Sequence, residues 1–125
     1  MKIAYYRGLA TLLFKTRYPD LRGSMMAVGA GPDDVQPLLK GLKTGRAVIA
    51  CINSPSSITV SGDEDAITEL QSVVEGKGFF NRKLRVGMAY HSHHMELVAD
   101  DYLASLGDIR PRKSSGARYF SSVTV

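Results

Sequence analysis

All three histidines of the chain fall within four consecutive positions, in the segment Tyr90-His91-Ser92-His93-His94-Met95. The residues before this segment have strand character and Ser92 is a suitable helix N-cap, so His91 is expected at a strand-to-helix junction. There the positive end of the helix dipole favours a neutral imidazole, which can accept a proton as a general base must. A surface histidine, or one that only makes structural hydrogen bonds at this junction, fits the same facts.

A metal site is the other chemistry open to these histidines. On an extended segment His91 and His93 share a face, whereas adjacent histidines on a helix diverge by about 100°. Zinc usually draws further ligands from elsewhere in a chain, at recognisable spacing. Here Cys51 is the only cysteine and there is no fourth histidine, so carboxylates would have to complete the shell. We therefore expect no metal, and we expect His93 and His94 to mark only the start of a helix.

Arg7 is the second candidate. It shares a helical stripe with the apolar residues Ile3, Ala10 and Phe14, and it is the only charged residue between Lys2 and Lys15. A guanidinium in apolar surroundings needs an anion, and this helix supplies none. The partner is therefore a distant carboxylate or a ligand, unless the side chain extends to the solvent.

Two other segments have simpler interpretations. Asn53-Ser54-Pro55-Ser56 is composed of turn-forming residues, and Cys51 lies in an apolar run typical of a strand, where a thiol is buried and inert.

The elements that must position these residues follow from periodicity and turn signals. Residues 3–16 are expected to form a helix that is apolar nearly all round, a pattern typical of a helix buried in something larger. Residues 23–86 then predict strand, helix, strand, strand, helix, strand, which is the ferredoxin-like βαββαβ order. The predicted segments are strand 23–29, a helix from 31, strand 47–52, strand 58–60, a helix from 63 to Gly76 or Gly78, and strand 79–86. One further helix is expected from Ser92 to Gly107, and a strand at the end, over 120–125.

Length and charge narrow the class of protein. A chain of 125 residues forms one modest domain, and no apolar run approaches the roughly 20 residues of a membrane span. The single cysteine fits a reducing compartment such as the cytoplasm. The net charge of +4 includes a basic group near the end, Arg110-Pro111-Arg112-Lys113 and Arg118. Such a group binds nucleic acid or forms a solvated loop, and the absence of interleaved aromatic residues favours the loop.

Four stretches together resemble the acyltransferase domain of an iterative, highly reducing fungal polyketide synthase, of the malonyl-CoA:acyl-carrier-protein transacylase family. They occur in the family's order and cover nearly the whole chain. They are Tyr5-Tyr6-Arg7-Gly8, Gly23-Ser24-Met25-Met26-Ala27-Val28-Gly29, the hairpin from Asn53 to Gly62, and Met88-Ala89-Tyr90-His91-Ser92-His93-His94-Met95. The resemblance implies an α/β (α+β) fold, with a ferredoxin-like subdomain (23–87) inserted in a partial α/β-hydrolase-like acyltransferase body (1–22 and 88–125).

The resemblance also implies a mechanism. In the family a serine in a Gly-His-Ser-x-Gly elbow attacks malonyl-CoA, a histidine takes its proton, and an arginine pairs with the malonyl carboxylate. The acyl group then passes to the phosphopantetheine thiol of an acyl carrier protein. By motif His91 would be the base and Arg7 the carboxylate partner, with Tyr90, Met88 and Asn53 binding substrate. The other partner would be the rest of the synthase, and no metal, bound cofactor, nucleic acid or membrane is expected.

The family's serine elbow is missing from this sequence, since it would precede Arg7. We therefore expect the chain to be an internal fragment of such a domain, without transfer activity alone. An alternative from another class is a stand-alone ferredoxin-like binding module. The fragment interpretation predicts exposed apolar surface on the first helix, and the binding module predicts a well-folded monomer with a salt-sensitive partner.

Overall fold

A computed structural model describes residues 1–110, 116, 118, 120 and 121. Nine elements follow one another along this part of the chain. They are α1 (Lys2–Arg17), β1 (Gly23–Val28), α2 (Pro32–Lys40), β2 (Ala47–Ser54), β3 (Ser57–Asp63), α3 (Glu64–Gly76), β4 (Asn81–Lys83), α4 (His93–Glu96) and α5 (Ala99–Leu106). None of the helices in the described ranges is long and apolar enough to cross a membrane.

The four strands form one sheet in the order β2-β3-β1-β4, in which every neighbouring pair is antiparallel. With α2 after β1 and α3 after β3, this is the ferredoxin-like arrangement that periodicity predicted. The register pairs Met26 with Val60 and Val28 with Ile58, so apolar side chains of the two central strands share one face.

The main core lies between that face of the sheet and helices α2 and α3. Met26, Ile58, Val60, Ile67 and Leu70 are fully buried there. Each such side chain contributes about 1.5–3 kcal/mol by leaving water. The core therefore holds the sheet and both helices as one unit, and it leaves the opposite face of the sheet free for other contacts.

A smaller cluster joins α1 to the segment after β4. Its buried members are Phe14, Met88 and Val98, and Tyr90 and Met95 pack against them. The Arg17–Asp101 ion pair, at 2.7 Å, links α1 to α5 at an exposed position. Other apolar residues of α1 are exposed in the described structure, with Leu12 61% exposed and Ile3, Tyr5 and Leu9 also exposed. The helix forms as predicted, but the described part of the chain leaves much of its apolar surface exposed.

Three predicted elements differ from the structure. The strand expected over 79–86 is ordered as β4 only from Asn81 to Lys83, because the Phe79 N–H bonds to the end of α3 at Val74 O and the chain leaves the sheet after Leu84. The turn expected over 53–56 is confined to Pro55 and Ser56, and Ser54 still pairs with Ser57.

The single helix expected after Ser92 is two helices, α4 and α5, because the backbone of Val98 (φ −125°, ψ 7°) departs from helical geometry while its side chain enters the smaller cluster. The strand expected over 120–125 lies almost entirely outside the described residues, and Phe120 and Ser121 are not in a strand.

Candidate functional site

An open cavity of about 920 Å³ lies between α1, the face of the sheet opposite the core, and the segment that carries the histidines. Met25 of β1 and Thr59 of β3 face it, as expected from their alternation with the core residues Met26, Ile58 and Val60. The full lining is Ala4, Arg7, Gly8, Ala10, Thr11, Met25, Cys51, Thr59, Leu84, Tyr90, His91, Met95, Val98, Ala99 and Tyr102.

His91 lines this cavity with an exposed side chain that has no hydrogen bond or ion pair within the described part of the chain. Its backbone has φ 59°, and it is the one non-glycine residue with positive φ among those described. This left-handed conformation is unfavourable for an L-residue, and such conformations cluster at functional sites. It is a feature that sequence patterns did not indicate.

The residue after it, Ser92, is the N-cap that was predicted. Its Oγ accepts a hydrogen bond from the His94 N–H at 3.2 Å and donates to Ala89 O at 2.7 Å. The helix it caps, α4, has only four residues, so the dipole effect predicted for His91 is limited to a single turn.

Arg7 lies on α1 and lines the same cavity, with its side chain exposed at the cavity mouth rather than enclosed by apolar residues. Within residues 1–110 no carboxylate forms an ion pair with it. The distant carboxylate considered from sequence is thus absent from the described chain, and the guanidinium is available to an anion.

The other predicted substrate-binding residues divide into two groups. Tyr90 is half-buried and lines the cavity beside His91. Met88 is only 2% exposed and packs in the cluster with Phe14 and Val98, behind the cavity wall. Asn53 is exposed on β2 and donates from Nδ2 to Thr59 Oγ1 at 3.1 Å, so it contacts a lining residue without lining the cavity itself.

Cys51 lines the cavity and is half-buried, where a fully buried strand thiol was expected. The reason is a β-bulge. Ile49 pairs with Val60 but Cys51 pairs with Thr59, so two residues of β2 are matched to one step of β3. This turns Cys51 to the cavity face, although simple alternation would keep it on the core face with Ile49.

A second group of polar side chains adjoins the site and was not predicted. Asp63, the last residue of β3, accepts hydrogen bonds from His94 Nε2 at 2.7 Å and His93 Nε2 at 3.0 Å on the same oxygen, Oδ1. Its Oδ2 accepts from the Arg46 N–H at 2.7 Å. Burial opposes ionisation here, but the Arg46 N–H and the two rings together hold the pKa of Asp63 below its ordinary value.

The histidines of this group were expected only to begin a helix. They do begin α4, but His94 is fully buried, and its ring stacks on Phe14 at a centroid distance of 5.8 Å. A buried histidine next to a helix cap needs a polar partner, and a carboxylate at a strand end was the available signal. Asp63 lies 31 positions away, a separation at which no local pattern joins the two residues.

Comparisons of the sequence with known proteins all point to one family. The sequence profile described as the acyl transferase domain matches residues 6–124. The chain is 51% identical over 125 residues to the highly reducing polyketide synthase phiA of a fungal species, covering 99% of this chain and 5% of that protein. It is 47% identical over 124 residues to highly-reducing polyketide synthase 1 of Aureobasidium melanogenum, covering 98% and 6%.

Solved structures with the same fold carry related descriptions. The acyltransferase domain from the second module of the salinomycin polyketide synthase superposes with a TM-score of 0.71 at 31% identity, over 83% of this chain and 23% of that one. The malonyl CoA-acyl carrier protein transacylase from Clostridium perfringens superposes with a TM-score of 0.68 at 26% identity, over 74% and 30%. The chain thus spans about one-twentieth of its polyketide synthase relatives and under a third of these solved chains.

Proposed function

The chain belongs to the acyl transferase domain family, and we propose that it supplies the general base and the carboxylate-binding arginine of a polyketide synthase acyltransferase. The reaction proposed is transfer of a malonyl group from malonyl-CoA to the phosphopantetheine thiol of an acyl carrier protein. The observation that carries this proposal is that Arg7 and His91, far apart in sequence, line one cavity.

The state of both side chains supports the assignment. The imidazole of His91 has no partner in the described residues, so the unprotonated nitrogen of the neutral ring is free to accept a proton from a nucleophile. Arg7 has no carboxylate partner in that part of the chain either. A guanidinium can bind a malonyl carboxylate through two parallel hydrogen bonds, whereas an acetyl group offers no such anion.

The nucleophile is not among the described residues of the cavity, since no serine there lines it. Ser92 is committed to capping α4, and Ser24 and Ser61 are buried elsewhere. We therefore propose that the 125-residue chain forms no acyl-enzyme by itself and acts with a serine supplied by further acyltransferase sequence.

The residues of the cavity wall next to His91 are proposed to determine which acyl group, or extender unit, is transferred. Tyr90 would contact the acyl group directly, while Met88 would act through the packing of Tyr90 and Val98. Asn53 would act through its hydrogen bond to Thr59. The division of the chain into a body helix (1–22), a ferredoxin-like subdomain (23–87) and a base-bearing segment (88–125) belongs to the same proposal.

The proposed partners are an acyl carrier protein and the remainder of a synthase, as the multi-domain relatives suggest. No cofactor is assigned to the domain itself, since malonyl-CoA is a substrate and phosphopantetheine belongs to the carrier. A cytoplasmic location is proposed from the single cysteine.

A segment exchange tests the proposal. The matching 125 residues of the 51% identical synthase phiA would be replaced by this chain. We expect acylation of the carrier from malonyl-CoA in preference to acetyl-CoA. Arg7→Ala should lower that preference by about tenfold or more, because only the malonyl group carries the carboxylate. Lys15→Ala, which removes an exposed cation from the same helix that forms no ion pair among the described residues, is the matched control. A folded exchange protein without transfer, or unchanged selectivity in Arg7→Ala, would overturn the proposal.

A further inference from the structure

Asp63 forms a junction between the ferredoxin-like sheet and the segment that carries His91. Its Oδ1 accepts from His94 and His93, and its Oδ2 accepts from the Arg46 N–H. Asp63 occupies the N-cap position of α3, yet its side chain makes no capping hydrogen bond to that helix. The carboxylate is therefore used for tertiary contacts and not for starting α3.

The atoms of Asp63, His93 and His94 that could ligate a metal, one from each residue, lie within 4.8 Å of one another, which is close enough to consider a metal ion. The other ring nitrogens decide against it. Nδ1 of both histidines is buried without a hydrogen-bond partner in the described structure. A metal on Nε2 would leave Nδ1 protonated as a buried, unpaired donor, whereas metal-bound histidines nearly always pair that N–H. With Nε2–H donating to Asp63, only an acceptor lone pair is left unmatched.

His94 is linked by hydrogen bonds to the residues on both sides of His91. The backbone N–H of His94 donates to Ser92 Oγ, and this hydroxyl donates to Ala89 O, so the two hydrogen bonds bracket Tyr90 and His91. The segment also lies against β1 so closely that a Cβ at Gly23 would be 2.5 Å from Ala89 N and 3.0 Å from His94 Nδ1. The segment therefore rests on the sheet where Gly23 of β1 pairs with Asp63 of β3.

We propose that Asp63 is a positioning residue for His91. Through His94, with His93 as a second contact, it fixes the loop so that His91 is held in its left-handed conformation with the imidazole at the cavity. Asp63 does not touch the cavity and does not meet the substrate. Because the loop alone would relax this backbone conformation, a tertiary anchor is required. The inference rests on the proposed role of His91 as the base.

Asp63→Asn is the primary test, in the exchange protein described above. Asparagine keeps the size of the side chain but presents an N–H₂ group to one of its three donors. We expect kcat for malonyl transfer to fall by about tenfold or more with little change in KM, because a misplaced base affects the chemical step more than binding. Glu69→Gln is the matched control. Glu69 also accepts from backbone N–H groups, of Lys43 and Thr44, but does not contact the histidine segment. It should remain within about twofold of the parent.

Substitutions of His94 give a second test if Asp63→Asn fails to fold. The amide nitrogen of Gln reaches a position similar to imidazole Nε2, so His94→Gln should retain clearly more activity than His94→Leu, which packs but cannot donate. Equal activity of the Gln and Leu variants, or a parent-like kcat in a folded Asp63→Asn protein, would overturn the inference.

Measurements on the 125-residue chain separate this inference from the proposed function. In a sample of the chain with ¹⁵N-labelled histidine rings, nitrogen-detected NMR should show His93 and His94 as Nε2–H tautomers. Asp63→Asn should change the His91 ring signals, and Glu69→Gln should not. Zinc added to the chain should leave the ring signals of His93 and His94 unchanged. Stoichiometric zinc binding that is lost in Asp63→Asn would overturn the inference in favour of a metal site. In the exchange protein, His91→Asn tests the proposed function separately. If that variant is as active as the unsubstituted exchange protein while the NMR result holds, the proposed function fails and the anchoring of the histidine segment by Asp63 stands.

Discussion

At the scale of single residues, the proposed site rests on three side chains, Arg7, His91 and Asp63, which differ in how easily the sequence reveals them. Arg7 and His91 are recognisable by motif, and the structure brings both to one cavity. The left-handed backbone of His91 and the contact between His94 and Asp63 could not be recognised in this way. That contact spans 31 positions, and such contacts leave no periodic or spacing signal in a single sequence.

The pH dependence of stability should show the contribution of Asp63. Its folded pKa is below the ordinary value, so its stabilisation is fully present above the unfolded pKa of about 3.9 and is lost as pH falls through the folded pKa. Urea unfolding of the unsubstituted chain and of Asp63→Asn between pH 5 and pH 2.5 measures this loss. The stability difference between the two proteins should shrink as the pH falls below about 4. A difference that stays constant down to pH 2.5 would contradict the assignment.

At the scale of elements, β1 is the strand that both the core and the histidine segment use. Gly23 begins it, and the space a Cβ would occupy is already filled by Ala89 and His94. Glycine is needed here because of the close approach of the loop, and not because of a special backbone angle.

Gly23→Ala should therefore lower the free energy of unfolding by about 1–3 kcal/mol, as expected when a well-packed contact must move. Gly76→Ala is the control, since a Cβ there meets nothing within 4 Å at the end of α3. That variant should be neutral or stabilising by up to about 1 kcal/mol. Chemical denaturation of both measures the difference, and equal stabilities would show that the loop does not rest on β1 as described.

The order of elements could be predicted because each signal is local. Short apolar runs and alternation identified the strands, and Gly31-Pro32 marked the start of α2. Gly76 or Gly78 was expected to end the third helix, and α3 ends at Gly76. Three features could not be predicted because tertiary contacts set them. The bulge at Ala50 depends on pairing with β3, the division between α4 and α5 depends on the burial of Val98, and the short β4 depends on where the chain leaves β1.

At the scale of the whole molecule, the ferredoxin-like unit has a buried apolar core of its own, whereas α1 leaves several of its apolar residues exposed. Tyr5, Leu9 and Leu12 share one side of α1 and are all exposed in the described structure, Leu12 to 61%. An exposed apolar surface of this kind usually marks a contact with another body of protein.

The chain should therefore bind a dye that reports exposed apolar surface, and Leu9→Gln combined with Leu12→Gln should reduce that signal strongly. Ile52→Gln, which removes an equally exposed apolar side chain from β2, is the control and should have little effect. Fluorescence titration at 25 °C measures the difference. A parent chain that binds no dye and melts cooperatively would favour the stand-alone binding module instead.

The most direct test of the account is the rate of acyl-enzyme formation from malonyl-CoA by the exchange protein in a single turnover, with and without His91→Asn. Asparagine tolerates the left-handed backbone, so the substitution removes the imidazole with little change of loop geometry. We predict a fall of about 10²-fold or more in that rate, with the fold and thermal stability retained. A rate equal to that of the parent would contradict the assignment of His91 as the general base.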